Sequence, residues 1–254
     1  MPSPTLDKTR YFTEHLTELR RGLIHSLVFA SIGVGVAFLR SGLLFSLLLR
    51  PFHVAFSGLP GVEARTLQTL VPIEAFMINM KLATVVGLLL ASPFILREIW
   101  VFASPALKVN ERRAILMVFL LGLFFFAGGV AFGYFLVIPL ALEFLIRYNL
   151  DYHFIPQWTL QGYFDFVVNF LLLFGAIFEL PLVLAALVGI GVATPAFLQH
   201  KRKHAILAIF VLAAIIAPSA DPVTQTIVAV PLIVLYEIGI WLSYFAFRKK
   251  EKTL

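Results

Sequence analysis

The sequence predicts an all-α integral membrane protein, and three observations carry that reading. Of its 254 residues, 60% are hydrophobic and only 13% are charged, a balance that soluble globular chains of this size do not show. Long apolar runs recur at lengths that suit a ~30 Å hydrocarbon core. Lysines and arginines collect on alternate connections between those runs, the bias that orients spans in a bilayer. Cysteine is absent, which excludes disulfides and thiolate metal sites. A net charge of +6 would hint at nucleic acid in a soluble chain, but in a membrane protein the distribution of the charge matters more than its sum. No nucleic-acid partner is expected.

Met1 to Thr13 is short and polar and contains Pro2 and Pro4. The apolar run behind it lacks a small-residue cleavage site, so no cleaved signal peptide is expected. From Glu14 to Leu23 the leucines 16, 19 and 23 recur at helical spacing and form one stripe, leaving Glu14, Glu18 and Arg21 on more exposed faces. This is an amphipathic helix entering a membrane. Its arginines suit a solvated helix end anchored at lipid headgroups. The first span follows at residues 22–39, about eighteen residues and just long enough to cross.

Between Arg40 and Val71, three arginines with Pro51 and Pro60 divide the apolar sequence into pieces too short to cross. A loop with an interfacial amphipathic helix is expected there. The second span, 73–96, carries Glu74, Lys81 and Pro93, so one of its faces should be buried in protein or wet. A charged loop to Arg113 precedes the third span, 114–138, in which Gly122, Gly128, Gly129 and Gly133 would let a neighbouring helix approach closely. Residues 140–162 form a polar connection with tyrosines and Trp158 suited to an interface belt.

The fourth span, 164–190, contains Glu179 two residues before Pro181. Pro195 then opens a short basic loop with Lys201, Arg202 and Lys203. The fifth span, 205–217, is about thirteen residues or roughly 20 Å long, well short of the core. Either the bilayer thins there or the segment is re-entrant. The sixth span, 225–247, contains Pro231 and Glu237 and ends in a basic tail. The N-terminus, the loops after spans two and four, and the C-terminus share Arg20, Arg21, Arg97, Arg112, Arg113, Lys201 to Lys203 and Arg248 to Lys252; the opposite side has only Arg40, Arg50, Arg65 and Arg147. The bias favours six spans with both termini cytoplasmic, in a single membrane domain over residues 1–254; four spans with spans five and six as a re-entrant pair fit it as well if Arg248 onward stays cytoplasmic.

Four stretches are more specific. These are His15-Leu16-Thr17-Glu18-Leu19-Arg20; Ser104 to Leu107 with Glu111-Arg112-Arg113; Phe174 to Pro181; and Gln225-Thr226 with Pro231 and Tyr236-Glu237-Ile238. In order and topological position they resemble the signature stretches of the TatC subunit of the twin-arginine protein translocase. The resemblance implies a concave, glove-like bundle of six helices with short fifth and sixth helices. It further implies a receptor in the cytoplasmic (inner) membrane that binds consecutive arginines in the signal peptides of folded precursors. Export would then proceed on the proton motive force in an oligomeric complex with small single-span subunits of the TatA and TatB type. No cofactor is implied.

A pair of guanidinium groups needs fixed carboxylates, because arginine presents a planar fork of donors and keeps its charge. By resemblance, Glu18 and Glu111 are the recognition pair, Phe102 and Arg113 are neighbouring recognition positions, and Arg20 holds the site, with Glu18 as the group it would orient. Glu111 also suits plain stabilisation by the helix dipole of span three. Glu179 is costly to ionise in mid-membrane; it is either a structural hydrogen-bonding group or, as the resemblance implies, part of an intramembrane polar patch. Pro51 and Asp221 match outer-side positions, although Ser219-Ala220 lengthens the fifth loop relative to the usual pattern. Gln225 matches a position used in docking a partner helix and equally suits a helix start. A bundle of this size is too small to enclose a channel for a folded domain, so a receptor that recruits a pore is expected.

The alternative from another class is an ion-coupled small-solute transporter using Lys81, Glu179 and Glu237, a type that usually carries an internal repeat; none is evident in the sequence. An enzyme is not expected, since neither a His-Glu-x-x-His nor a Gly-x-Ser-x-Gly pattern occurs.

Overall fold

The computed structural model describes residues 4–57, 66–103, 109–216 and 222–251, with the side chains of 4–16, 103, 109–115, 223–224 and 245–251 outside that description. It is helical nearly throughout. The helices are α1 (Pro4–Leu39), α2 (Ser41–Ser57), α3 (Glu74–Ala103), α4 (Val109–Phe132), a π-helical turn (Gly133–Val137), α5 (Ile138–Asp151), α6 (Leu160–Phe178), α7 (Leu180–Ile190), α8 (Pro195–His200), α9 (Arg202–Ile216) and α10 (Pro222–Glu251). Among the described residues, extended pairing is limited to one bridge between Gln68 and Thr159. Among the described residues, five helical stretches are long and apolar enough to cross a membrane: Thr17–Leu39, Glu74–Phe102, Leu116–Asp151, Leu160–Ile190 and Gln225–Tyr244. Helix α9, with 15 residues, is shorter than a span requires.

The chain divides into two compact units, Met1–Leu47 with Val71–Leu120, and Leu48–Leu70 with Leu121–Leu254. In the first, α1 lies along α3, and two glycines set how closely. A Cβ on Gly87 would stand 2.5 Å from the backbone N and Cα of Val34, and one on Gly33 would strike the Gly87 carbonyl. Small residues let the backbones meet, which is how helices gain packing energy in a solvent as apolar as their own side chains. On one side of the crossing Phe29 stacks on Phe94 at 5.1 Å; on the other, Ala37, Leu44 and Ala83 form a small core with Val34, Phe38 and Val86 around it.

The second unit has the larger core, in which Val137, Phe174, Val188, Val228, Leu232 and Ile240 are all buried. Helix α10 packs on α7 and on α9. Gly129 again marks a close approach, since a Cβ there would meet the Phe174 backbone. Helical structure does not end where the third apolar run does; it continues through Pro139 to Asp151. The π turn explains this. Ile138 N–H donates to the Gly133 carbonyl five residues back, and that widened turn comes immediately before a residue that has no N–H and would crowd the carbonyl four residues behind it.

Prolines divide the fourth span differently. Thr159 caps α6 by accepting from Gly162 N–H, and the helix ends at Glu179, where Pro181 starts α7 in its first turn. The fourth span is therefore two helices joined at a carboxylate. Ser41–Ser57, with Pro51 inside it, is apolar but only 17 residues long, in the region where the sequence predicts an interfacial helix.

Candidate functional site

Glu18 and Arg20 lie at the polar end of the first apolar stretch, both exposed, and Phe102 is half-buried near the end of α3. All three belong to the first unit, and Glu18 and Phe102 already make interactions with their surroundings. The backbone of Glu111 and Arg113 falls in the opening turns of α4, but their side chains lie outside the described residues.

This end of the first unit also carries a polar cluster absent from the sequence-based expectation. Glu98 is 9% exposed, and its two oxygens have separate partners, His25 Nδ1 at 3.3 Å and Arg97 Nη1 at 3.2 Å. A buried carboxylate is tolerated only with such partners, and removing one is costly. Helical spacing ties the pair to the exposed residues. His25 is seven residues after Glu18 and so on the same face of α1; Phe102 is four after Glu98 and on the same face of α3. The clasp therefore fixes the register of the two helix ends that carry Glu18 and Phe102. His25 as an interruption of the first span, and Glu98 as an acid at the end of the second, were the available signals.

In the second unit, Glu179 sits at the α6–α7 junction, partly exposed, with its carboxyl over the backbone of α4: a Cβ on Gly122 would stand 3.4 Å from Oε2. Among the described residues it makes no side-chain hydrogen bond or ion pair. Pro51 is buried in α2. Beside it Phe52 meets Phe56, Trp158 and Tyr163 at 4.7, 5.8 and 5.4 Å, and the Tyr163 hydroxyl donates to the Leu48 carbonyl at 2.6 Å. The Gln68 backbone pairs on both sides, with Trp158 and Leu160. Gln225 Nε2 donates to the Phe210 carbonyl at 2.9 Å, linking α10 to α9. Asp221 lies outside the described residues.

Glu237 is committed elsewhere, accepting from Arg202 Nη2 at 2.7 Å. That pairing takes one carboxylate away from the set a solute transporter would use. Lys81 is exposed and engaged in interactions of its own. No cluster of three or more His, Asp or Glu with metal-ligand geometry occurs among the described residues.

Residues 14–231 match the family model described as TatC, Sec-independent protein translocase protein. The Sec-independent protein translocase protein TatC of Aquifex aeolicus (strain VF5) is 41% identical over 241 residues, covering 94% of this chain and 97% of that protein. TatC of Carboxydothermus hydrogenoformans is 35% identical over 239 residues, covering 94% and 95%. A crystal structure of the twin arginine translocase receptor TatC superimposes with a TM-score of 0.65 at 39% identity, covering 91% of this chain and 99% of that one.

Proposed function

The chain belongs to the TatC family of Sec-independent protein translocase proteins, and from that premise we propose how its residues divide the work of a twin-arginine signal-peptide receptor. It is a multi-pass membrane subunit of a translocase. Its substrates are precursors with paired arginines near the N-terminus, and its task is to read those arginines at the cytoplasmic face.

The observation that carries the residue assignment is the exposed Glu18 on a helix whose register is locked. Gly33 and Gly87 seat α1 against α3, and the His25–Glu98 contact pins the same two helices nearer the polar end. A carboxylate that reads a guanidinium fork must not drift, because bidentate geometry supplies the specificity. We assign Glu18 and Glu111 to the two arginines, Phe102 and Arg113 to the flanking signal-peptide residues, and Arg20 to holding the site in place. Glu179 contributes a polar patch within the membrane, and Pro51, Gln225 and Asp221 serve partner contact or structure. We assign no catalytic residue. The partners are single-span translocase subunits, which supply the pore that this chain is too small to enclose.

Binding of a labelled twin-arginine signal peptide to the detergent-solubilised chain tests the assignment, with a peptide carrying two lysines as control. Selective binding that falls at least about tenfold in Glu18→Ala and in Glu111→Ala is the expected result, since a charge-assisted contact is worth ~1.5–3 kcal/mol. Equal weak binding of both peptides to all three proteins would sink it.

A further inference from the structure

Helix α3 touches a different neighbour on each side of its polar end. Glu98 meets α1, where His25 stands 3.3 Å away. Trp100, two residues on and so about 200° around the helix, meets α4 instead. Its ring stands edge-on to that of Phe119, with 6.3 Å between centres and 83° between planes. Both rings are half-buried, and α4 as far as Leu120 belongs with α1 and α3 to the first unit. An edge-to-face pair is directional, because the positive rim of one ring rests on the negative face of the other. The recognition carboxylates lie at matching distances from these two contacts. Glu18 precedes His25 by seven residues of α1, and Glu111 precedes Phe119 by eight residues of the unbroken α4. Each is therefore roughly 10–12 Å along its helix from the point where that helix meets α3.

We infer that Trp100 is a positioning residue that, with Glu98 on the opposite side of α3, sets the separation of Glu18 and Glu111. The end of α3 is a spacer, and the length it keeps is the receptor's requirement that two arginines be adjacent. This rests on the assignment of those two carboxylates to the arginines. Each helix acts as a lever about two turns long, so a tilt of α4 at Phe119 is carried to Glu111. A guanidinium fork does not survive that: recognition geometry is lost with displacements of about 1 Å. Without the ring contact, α4 keeps its helix and its charges but no longer a fixed distance from α1.

The test compares labelled signal peptides carrying Arg-Arg, Arg-Ala-Ala-Arg or Lys-Lys, bound to the full chain in detergent. The unaltered protein should favour Arg-Arg over Arg-Ala-Ala-Arg by about tenfold, the worth of one charge-assisted contact that a misplaced arginine forfeits. Trp100→Leu stays apolar but gives up the ring contact, and should cut that preference to below about threefold. Phe119→Leu removes the same contact from the α4 side and should act alike, while Trp100→Phe, which keeps a ring, should restore most of the preference. Because the chain has no cysteine, Leu23→Cys with Leu116→Cys places nitroxide labels at two exposed positions on α1 and α4. Their distance distribution should widen in Trp100→Leu. Helical content and monodisperse elution check that each variant is folded. Three results overturn the spacer and leave the carboxylate assignment standing: no preference for Arg-Arg over Arg-Ala-Ala-Arg in a protein that still rejects Lys-Lys; equal weakening of both arginine peptides in the leucine variants; or an unchanged distance distribution. Equal binding of Arg-Arg and Lys-Lys to the unaltered protein would overturn both.

Discussion

Replacing Gly87 by alanine probes the α1–α3 crossing with one carbon atom. The new Cβ would sit 2.5 Å from the Val34 backbone, whereas carbon atoms rest comfortably at ~3.5–4.0 Å. Helix α1 must therefore retreat by roughly 1 Å. The atoms in the way are main chain, so no side chain can rotate aside, and overpacking of this kind costs about 1–3 kcal/mol. For a chain of this length that corresponds to a fall of ~2–12 °C in the unfolding temperature. Gly35 supplies the control. It lies two residues from Gly33 on the same helix, and a Cβ there meets nothing within 4 Å, so Gly35→Ala should leave the transition unchanged or raise it by up to about 4 °C, alanine being the better helix former by roughly 0.5–1 kcal/mol. Thermal unfolding of the detergent-solubilised protein, followed by tryptophan fluorescence, reads both variants. Equal transitions for Gly87→Ala and Gly35→Ala would show that the crossing is not held by backbone contact, and the argument that it locks the register of Glu18 would fall with it.

Two further outcomes follow from contacts in the second unit. Glu237→Gln leaves Arg202 with a weaker acceptor in a place where its Nε is already buried without a partner; a loss of about 1–2 kcal/mol is expected, discounted because both side chains are partly exposed. The double change Arg202→Met with Glu237→Leu should recover most of that loss in the same thermal assay, because an apolar pair carries no desolvation cost. Tyr163→Phe removes the donor to the Leu48 carbonyl and should cost about 0.5–1.5 kcal/mol, whereas Tyr152→Phe, at an exposed tyrosine, should be silent. Equal effects of the two would mean that the 2.6 Å contact contributes nothing.

The helical fold was legible because crossing a bilayer demands long apolar runs, and such runs survive without knowledge of their neighbours. Glycines in the third span gave notice of a close approach, which Gly129 makes against Phe174. Contacts between distant parts of the chain were another matter. His25 and Glu98 are separated by 73 positions, and nothing in either neighbourhood names the other as its partner. Arg202 reads in sequence as one of three similar basic residues beside a membrane; only the packing of α9 on α10 singles it out for Glu237. Gly33 and Gly87 are likewise ordinary until α1 and α3 are laid together. The break at Glu179 was half visible, because Pro181 announces it, while the π turn before Pro139 left no signal in the hydrophobic pattern.

That π turn matters for how relatives are compared with this chain. A π turn contains one residue more than the α turn it replaces, and one residue is about 100° of helix rotation. Ile138, Ala141, Leu142 and Ile146, buried on α5, thus follow a stripe whose phase is offset from that of the preceding helix. A relative lacking one residue between positions 133 and 137 could close the turn to an ordinary one, so that a single-residue gap in an alignment there would mark an exchange of helix types within one continuous span. The same gap a few turns away would rotate every residue beyond it off its face. Insertions and deletions, usually confined to loops, have one permissive address inside this transmembrane helix.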